Sequence, residues 1–153
     1  MPTSINFSIR PRNKRRAVYL LDTTVWIDLL RANSPSIRRQ LSARSKSVIG
    51  LSIITACELQ YGLERRAAQH PHLRAKEQHL LSVILAPFDV FSIDNAVVEI
   101  YGRVRTVLES SGTMIGALDT FIAAQALSLG ATLVTSNTKE FVRVPGLQVE
   151  DWR

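Results

Sequence analysis

Short apolar runs alternate with longer helical stripes along most of this chain of 153 residues. Val18-Tyr19-Leu20-Leu21 is a run of strand formers ended by Asp22, and Thr23-Thr24 opens a helix carrying Val25, Ile27, Leu29 and Leu30. Ser34-Pro35 reads as the cap and first position of a second helix, running to about Arg44. Val48-Ile49-Gly50-Leu51 is a second strand, and Ser52 caps a long helix to about Gln69. His70-Pro71-His72 breaks that helix. The next one carries Leu73, Leu80, Leu81 and Ile84 and stops at Pro87. Phe88 to Ile93 predicts a third strand, and Asp94 caps a helix through Ser110, ended by Ser111-Gly112. Leu118 to Leu129 predicts a helix closed by Gly130, Ala131 to Thr135 a fourth strand, and Leu147 to Val149 a short fifth one.

Continuous apolar strands alternating with helices predict an α/β fold: a three-layer α/β/α sandwich with a central parallel sheet, in a single domain over residues 18–153. Residues 1–17 read as a basic, disordered arm, with Arg10, Arg12, Lys14, Arg15 and Arg16 and no acid. In such a sheet, ligands bind beyond the carboxyl ends of the strands. Asp22, Ser136 and Asn137 fall there directly.

Composition narrows the class. Hydrophobic residues make up 46% and charged residues 21%, which is ordinary for a globular domain. No apolar run is long enough to span a bilayer, and the cations near the start are not followed by the apolar core of a secretory signal. The single cysteine, Cys57, excludes an internal disulfide framework and suits a reducing cytoplasm; beside Glu58 it reads as a small core residue. The net charge of +6 favours a phosphate polymer or an acidic protein as partner. Arg38, Arg39, Arg44 and Lys46 near the second strand, and Arg65, Arg66 and Arg74 near the end of the Glu58 helix, are candidates for phosphate contact.

Among the 13 acids, most have a routine place. Asp28 with Arg31, Glu99 with Arg103, Glu109 with Arg105 and Glu77 with Arg74 are spaced as exposed helix pairs, and Asp94 reads as a cap. Asp22, Glu58 and Asp119 do not fit that pattern. Each ends an apolar strand or lies in an apolar helix stripe, with no Lys or Arg at helical contact spacing. An unpartnered buried carboxylate costs several kcal/mol unless it binds a cation. Taken singly, Asp22 and Asp119 could be helix caps; taken together, the three predict one shared metal site. Hard oxygen ligands without Cys or His sets suit Mg²⁺ or Mn²⁺. His70, His72 and His79 match no zinc spacing and read as surface residues.

These residues also carry a resemblance. Leu21-Asp22-Thr23 and Ile53-Ile54-Thr55-Ala56-Cys57-Glu58-Leu59-Gln60-Tyr61-Gly62 resemble the first two acidic motifs of PIN-domain ribonucleases. Ile115-Gly116-Ala117-Leu118-Asp119-Thr120-Phe121-Ile122-Ala123-Ala124 resembles the third, and Thr135-Ser136-Asn137-Thr138-Lys139-Glu140-Phe141 the fourth. Within that family the chain is most similar to VapC toxins of toxin–antitoxin pairs.

The resemblance implies a PIN-like α/β/α domain and an endoribonuclease dependent on Mg²⁺ or Mn²⁺, cutting structured RNA such as tRNA or ribosomal RNA. It implies a cognate antitoxin, a homodimer and a higher toxin–antitoxin assembly. Asp22 and Asp119 would be metal ligands, Glu58 a ligand directly or through water, and Asn137 a further catalytic residue, with Glu140 as a substitute acid. Thr23, Ser136 and Asn137 would hold these groups in place. Three positions depart from the family pattern: Thr24 where Asn is common, Ala117-Leu118 where Pro is frequent, and Asn137 where many members have Asp. An antitoxin peptide would lie along the helix of Trp26, Leu29 and Leu30. Two other readings stay open: a non-catalytic nucleic-acid-binding module, and a phosphotransferase of the haloacid-dehalogenase type. The latter would use Asp22 as nucleophile but wants an acid where Thr24 stands.

Overall fold

The computed structural model describes residues 19–32 and 34–153; the basic arm expected over residues 1–17 lies outside them. Its elements are β1 (Tyr19–Leu21), α1 (Thr23–Leu30), α2 (Pro35–Ser42), β2 (Ile49–Ser52), α3 (Ile53–Gln69), α4 (Arg74–Leu85), β3 (Asp89–Phe91), α5 (Asn95–Ser110), α6 (Ala117–Leu129), β4 (Thr132–Val134), α7 (Thr138–Phe141) and β5 (Val149–Glu150). The expected capping residues stand at the helix starts. Ser34 Oγ accepts from Ile37 N, Ser52 Oγ from Ile54 N and Asp94 Oδ1 from Val97 N. Gly130 closes α6 at φ +61°, and the N–H of Ala131 returns to the carbonyl of Ala126, a turn that favours glycine.

The five strands form one parallel sheet in the order β3-β2-β1-β4-β5. The chain builds outward from β1 through β2 to β3, then crosses back to β4 on the other side of β1. That reversal opens a crevice at the carboxyl ends of β1 and β4. Successive residues of β1 serve opposite faces. Leu21 packs with Trp26, Leu59, Leu63, Leu81, Leu85 and Phe88 under α1 to α4. Leu20 packs with Val104, Leu108, Ile122, Ala126, Leu133 and Phe141 under α5 to α7. The sheet is therefore covered on both sides, as its unbroken apolar strands predicted.

Several strand boundaries differ from expectation by a residue or two: the second strand is Ile49–Ser52, because Val48 closes a 3-10 turn over Lys46–Val48, the third starts at Asp89, and the fourth is Thr132–Val134. The third ladder stops at Phe91, because the carbonyls of Phe91 and Ser92 accept from Gln125 Nε2 at 2.8 Å each. The fifth begins at Val149, because Leu147 belongs to the turn before it: Gly146 has φ +78° and the Leu147 N–H bonds the Val144 carbonyl.

Gly50 in β2 is a point of close approach. A Cβ there would lie 2.3 Å from Phe91 Cε2 and 2.9 Å from the Asp89 carbonyl. Gly50→Ala is expected to force β2 and β3 apart and cost about 1–3 kcal/mol, read as a lowered urea midpoint with an unchanged slope.

Some side chains also sit elsewhere than expected. Trp26 is fully buried, donating from Nε1 to the Leu21 carbonyl (3.1 Å) and meeting Phe88 edge-on at 5.0 Å between ring centroids. It is core, not a docking surface, because the sheet-facing side of α1 needs a large apolar group. Cys57 is exposed, one residue round α3 from the buried stripe of Ala56 and Leu59. Glu77 pairs with Arg66 (3.0 Å) and Arg74 with Glu64 (2.6 Å), so both pairs cross between α3 and α4 instead of running along one helix. Arg105–Glu109 forms within α5 as its spacing predicted.

Candidate active site

Asp22 ends β1 and caps α1. Its own N–H extends the ladder to the Val134 carbonyl (2.9 Å), which places the residue at the crevice floor. Its carboxylate accepts from Thr23 N (2.7 Å), Thr24 Oγ1 (3.2 Å) and Thr135 Oγ1 (2.8 Å), and the residue is only 4% exposed. Burial pushes its carboxyl above the usual carboxylate range; the hydroxyl of Thr135 and the amide of Thr23 pull it back. Asp22 is thus both the cap and the candidate ligand.

Glu58 lies on α3, whose start at Ser52 follows directly from β2. The hydroxyl of Thr23 donates to Glu58 Oε2. The same hydroxyl lies 3.4 Å from Thr55 Oγ1, but with one proton to give it favours the carboxylate. One residue therefore touches two of the predicted acids, Asp22 through its amide and Glu58 through its side chain.

Asp119 is the third residue of α6, with Gly116 as the cap residue. A Cβ on Gly116 would come within 3.0 Å of Asp119 Oδ2, so the carboxylate folds back against a backbone that carries no side chain. Its carboxyl is pushed up to about 6, first by burial and then by Asp22, Glu140 and Glu58. Three separate anions thus act on this one.

Glu140 is the fourth acid of the crevice. Phe141, fully buried, anchors the short α7, and this brings Glu140 toward Asp119. Asn137 precedes α7; its N–H donates to Thr135 Oγ1 (3.0 Å), and its side chain does not cap the helix. The structure therefore gathers the three predicted acids and the substitute acid, with Asn137 beside them. Sequence reasoning gave Thr135 no role. The only available signal was a polar residue ending an apolar strand at the sheet's reversal point. His70, His72 and His79 are exposed at the far end of α3 and on α4, as expected.

Among the described residues, the ion pairs all lie elsewhere and none neutralises the four carboxylates. Nor are any three His, Cys, Asp or Glu side chains drawn in closely enough to hold an ion as they stand. The charges of Asp22, Glu140 and Glu58 act on Asp119 with no ion pair among the described residues to offset them. The donor set is all oxygen, which fits a hard cation such as Mg²⁺ or Mn²⁺.

Together these features define a parallel-sheet domain with an acidic crevice at the reversal of strand order. The PIN domain profile matches residues 19–147. The chain is 33% identical over 136 residues to Ribonuclease VapC2 of Rickettsia felis, covering 88% of this chain and 98% of that relative. It is 32% identical over 134 residues to the tRNA(fMet)-specific endonuclease VapC of Shigella flexneri, covering 88% and 97%. The solved VapBC2 structure of Rickettsia felis, bound to a DNA fragment from its promoter, superposes with a TM-score of 0.81 at 32% identity, over 88% of this chain and 98% of that one. The chain belongs to the PIN domain family and, within it, to the VapC group.

Proposed function

We propose that this chain is a divalent-metal-dependent endoribonuclease acting on structured RNA, with tRNA the favoured substrate, and that it serves as the toxin of a toxin–antitoxin pair. The observation that carries the reading is an acidic crevice at the reversal of strand order, where burial and the charges of Asp22, Glu140 and Glu58 all act on Asp119 and no ion pair among the described residues offsets them. Family membership supports ribonuclease chemistry, and relatives named as tRNA(fMet)-specific endonucleases support tRNA.

Asp22, Asp119 and Glu58 would hold Mg²⁺ or Mn²⁺, with Glu140 close enough to take part. When bound, such an ion lowers the pKa of water and offsets charge building on phosphorus. The protein groups do the rest. Thr23 fixes the Glu58 carboxylate so that it can accept a proton from an attacking water. Asn137 brings an amide to the crevice that can donate to a phosphate oxygen. Burial of Asp22 keeps bulk water from competing for its oxygens. Arg38, Arg39, Lys46 and Arg65 are exposed and can meet RNA phosphates. Arg66 and Arg74 are already engaged by acids, and Arg44 lies over the rings of Tyr19 and Trp152 at 4.9 and 4.6 Å.

The partner of this reading is an antitoxin, because structural neighbours were solved as VapBC complexes, one of them on promoter DNA. Homodimers and higher toxin–antitoxin assemblies extend the same reading. No helix among the described residues is long and apolar enough to cross a membrane.

The test is a labelled tRNA pool incubated with the chain in Mg²⁺, in Mn²⁺ and in chelator. Discrete fragments in metal and intact tRNA in chelator are expected. RNA bound but uncut under all three conditions would establish a non-catalytic binding module instead; cutting unaffected by chelator would remove the metal from the mechanism.

A further inference from the structure

The ends of β1 and β4 are cross-tied at Asp22 by two hydroxyls that the chemistry above leaves without a role. Oδ2 of Asp22 accepts from Thr135 Oγ1 at 2.8 Å and from Thr24 Oγ1 at 3.2 Å. Each hydroxyl in turn accepts a backbone N–H: Thr24 Oγ1 from Ser136 at 3.2 Å, Thr135 Oγ1 from Asn137 at 3.0 Å. Two consecutive amides of one turn therefore feed two threonines that converge on a single carboxylate oxygen.

This relay has a direction. A hydroxyl carries one proton and two lone pairs. With an amide N–H occupying one lone pair, the proton of each threonine is free to point at Asp22. Thr135 is fully buried, and valine would fill its volume equally well, so packing alone does not explain a hydroxyl there. The two threonines come from different elements, Thr24 from the first turn of α1 and Thr135 from just past the end of β4, 111 apart in sequence (135 minus 24). They tie the Ser136–Asn137 turn, and with it α7 and Glu140, to the carboxylate at the end of β1.

We propose that Thr24 and Thr135 are positioning residues for Asp22. Their amide-oriented hydroxyls lock Oδ2 and set the bearing of the carboxylate, so that this one ligand is already oriented when a divalent cation draws the acids together. The proposal rests on the metal-dependent reading above and explains why threonine serves at position 24. Its hydroxyl reaches both Asp22 Oδ2 and the Ser136 amide.

Purified full-length chain is titrated with Mn²⁺, following bound ion by calorimetry and by the electron-spin signal of free Mn²⁺. Wild type is compared with Thr24→Val, Thr24→Ser, Thr135→Val, Thr135→Ser and the double valine variant. Each valine is expected to weaken Mn²⁺ binding about 10- to 100-fold, the usual cost of losing a group that orients a ligand. Each serine should bind close to wild type, since it keeps the hydroxyl. The double valine variant should lose little beyond the weaker single, because both act on one oxygen. Raising Mn²⁺ should restore RNA cleavage to the valine variants. Thr24 is half-buried, so Thr24→Val decides alone if Thr135→Val does not fold. Valine variants that bind Mn²⁺ as tightly as wild type, or serine variants that fail as completely as valine, overturn the positioning role. Wild type that takes up no Mn²⁺ overturns the metal-dependent reading itself, and this proposal with it.

Discussion

Asp119→Asn is expected to slow RNA cleavage by about two to three orders of magnitude and, in the absence of metal, to make the protein more stable. Loss of one preorganised charge at a reaction centre lowers turnover on the order of 10²- to 10³-fold. The gain in stability has a separate cause. The Asp119 carboxyl is pushed up to about 6 by burial and by Asp22, Glu140 and Glu58. Between its ordinary value near 4 and about 6, the folded chain binds more protons than the unfolded one. The stabilising contribution is therefore whole at low pH, falls as pH rises through that window, and is gone above about 6. Asp22, also raised by burial, acts in the same direction.

Metal-free wild type should thus gain stability on acidification from pH 7 to pH 5. For the half-buried Asp119 the change is about 1 kcal/mol once solvent screening is allowed for. Asp119→Asn should show a flatter pH profile and a melting temperature higher by about 2–4 °C at pH 7. Saturating Mn²⁺ should raise the melting temperature of wild type and leave the variant nearly unchanged. Thermal unfolding across pH, with and without Mn²⁺, checks all three. A variant less stable than wild type at pH 7 without metal would show that Asp119 serves the fold and not an ion.

Trp26→Ala is expected to cost roughly 3–5 kcal/mol, the scale for deleting a large buried aromatic. Against the roughly 5–15 kcal/mol that holds an ordinary domain together, that leaves a large unfolded fraction at 37 °C. The residue is fully buried, edge-on to Phe88, with its indole N–H on the carbonyl of Leu21. Leu21 immediately precedes Asp22, so the same contact fixes the strand end that presents the carboxylate. Trp26→Phe should keep most of the packing but leave that carbonyl unpaired, at about 1–3 kcal/mol. Its cleavage rate should fall more than its stability. Urea unfolding followed by far-ultraviolet circular dichroism, with cleavage measured on the folded fraction, separates the two effects. A full loss of antitoxin binding by Trp26→Phe with unchanged stability would instead restore Trp26 as a docking residue.

Much of the architecture was legible along the chain. The order of strands and helices followed from runs of apolar residues, and the capping serines and aspartates stood where the helices begin. Asp22, Glu58 and Asp119 stood out because no cation lay at helical spacing, and the fold brings all three to one crevice. Ion pairs were less legible. Glu77 had Arg74 three residues back, yet it pairs with Arg66, because α3 and α4 pack side by side and shorter paths open across the gap.

The sequence by itself determined which segments become strand or helix and which acids lack a local partner. Both depend on neighbours within a few residues, where backbone geometry is known in advance. Only the tertiary structure decided that Trp26 is core, that Cys57 faces out, that Thr24 and Thr135 meet on Asp22 and that Glu140 joins the acids. Those contacts join residues on separate elements. They exist because the chain reverses direction across the sheet after β3, a choice made by burial of both sheet faces at once and written in no single stretch of residues.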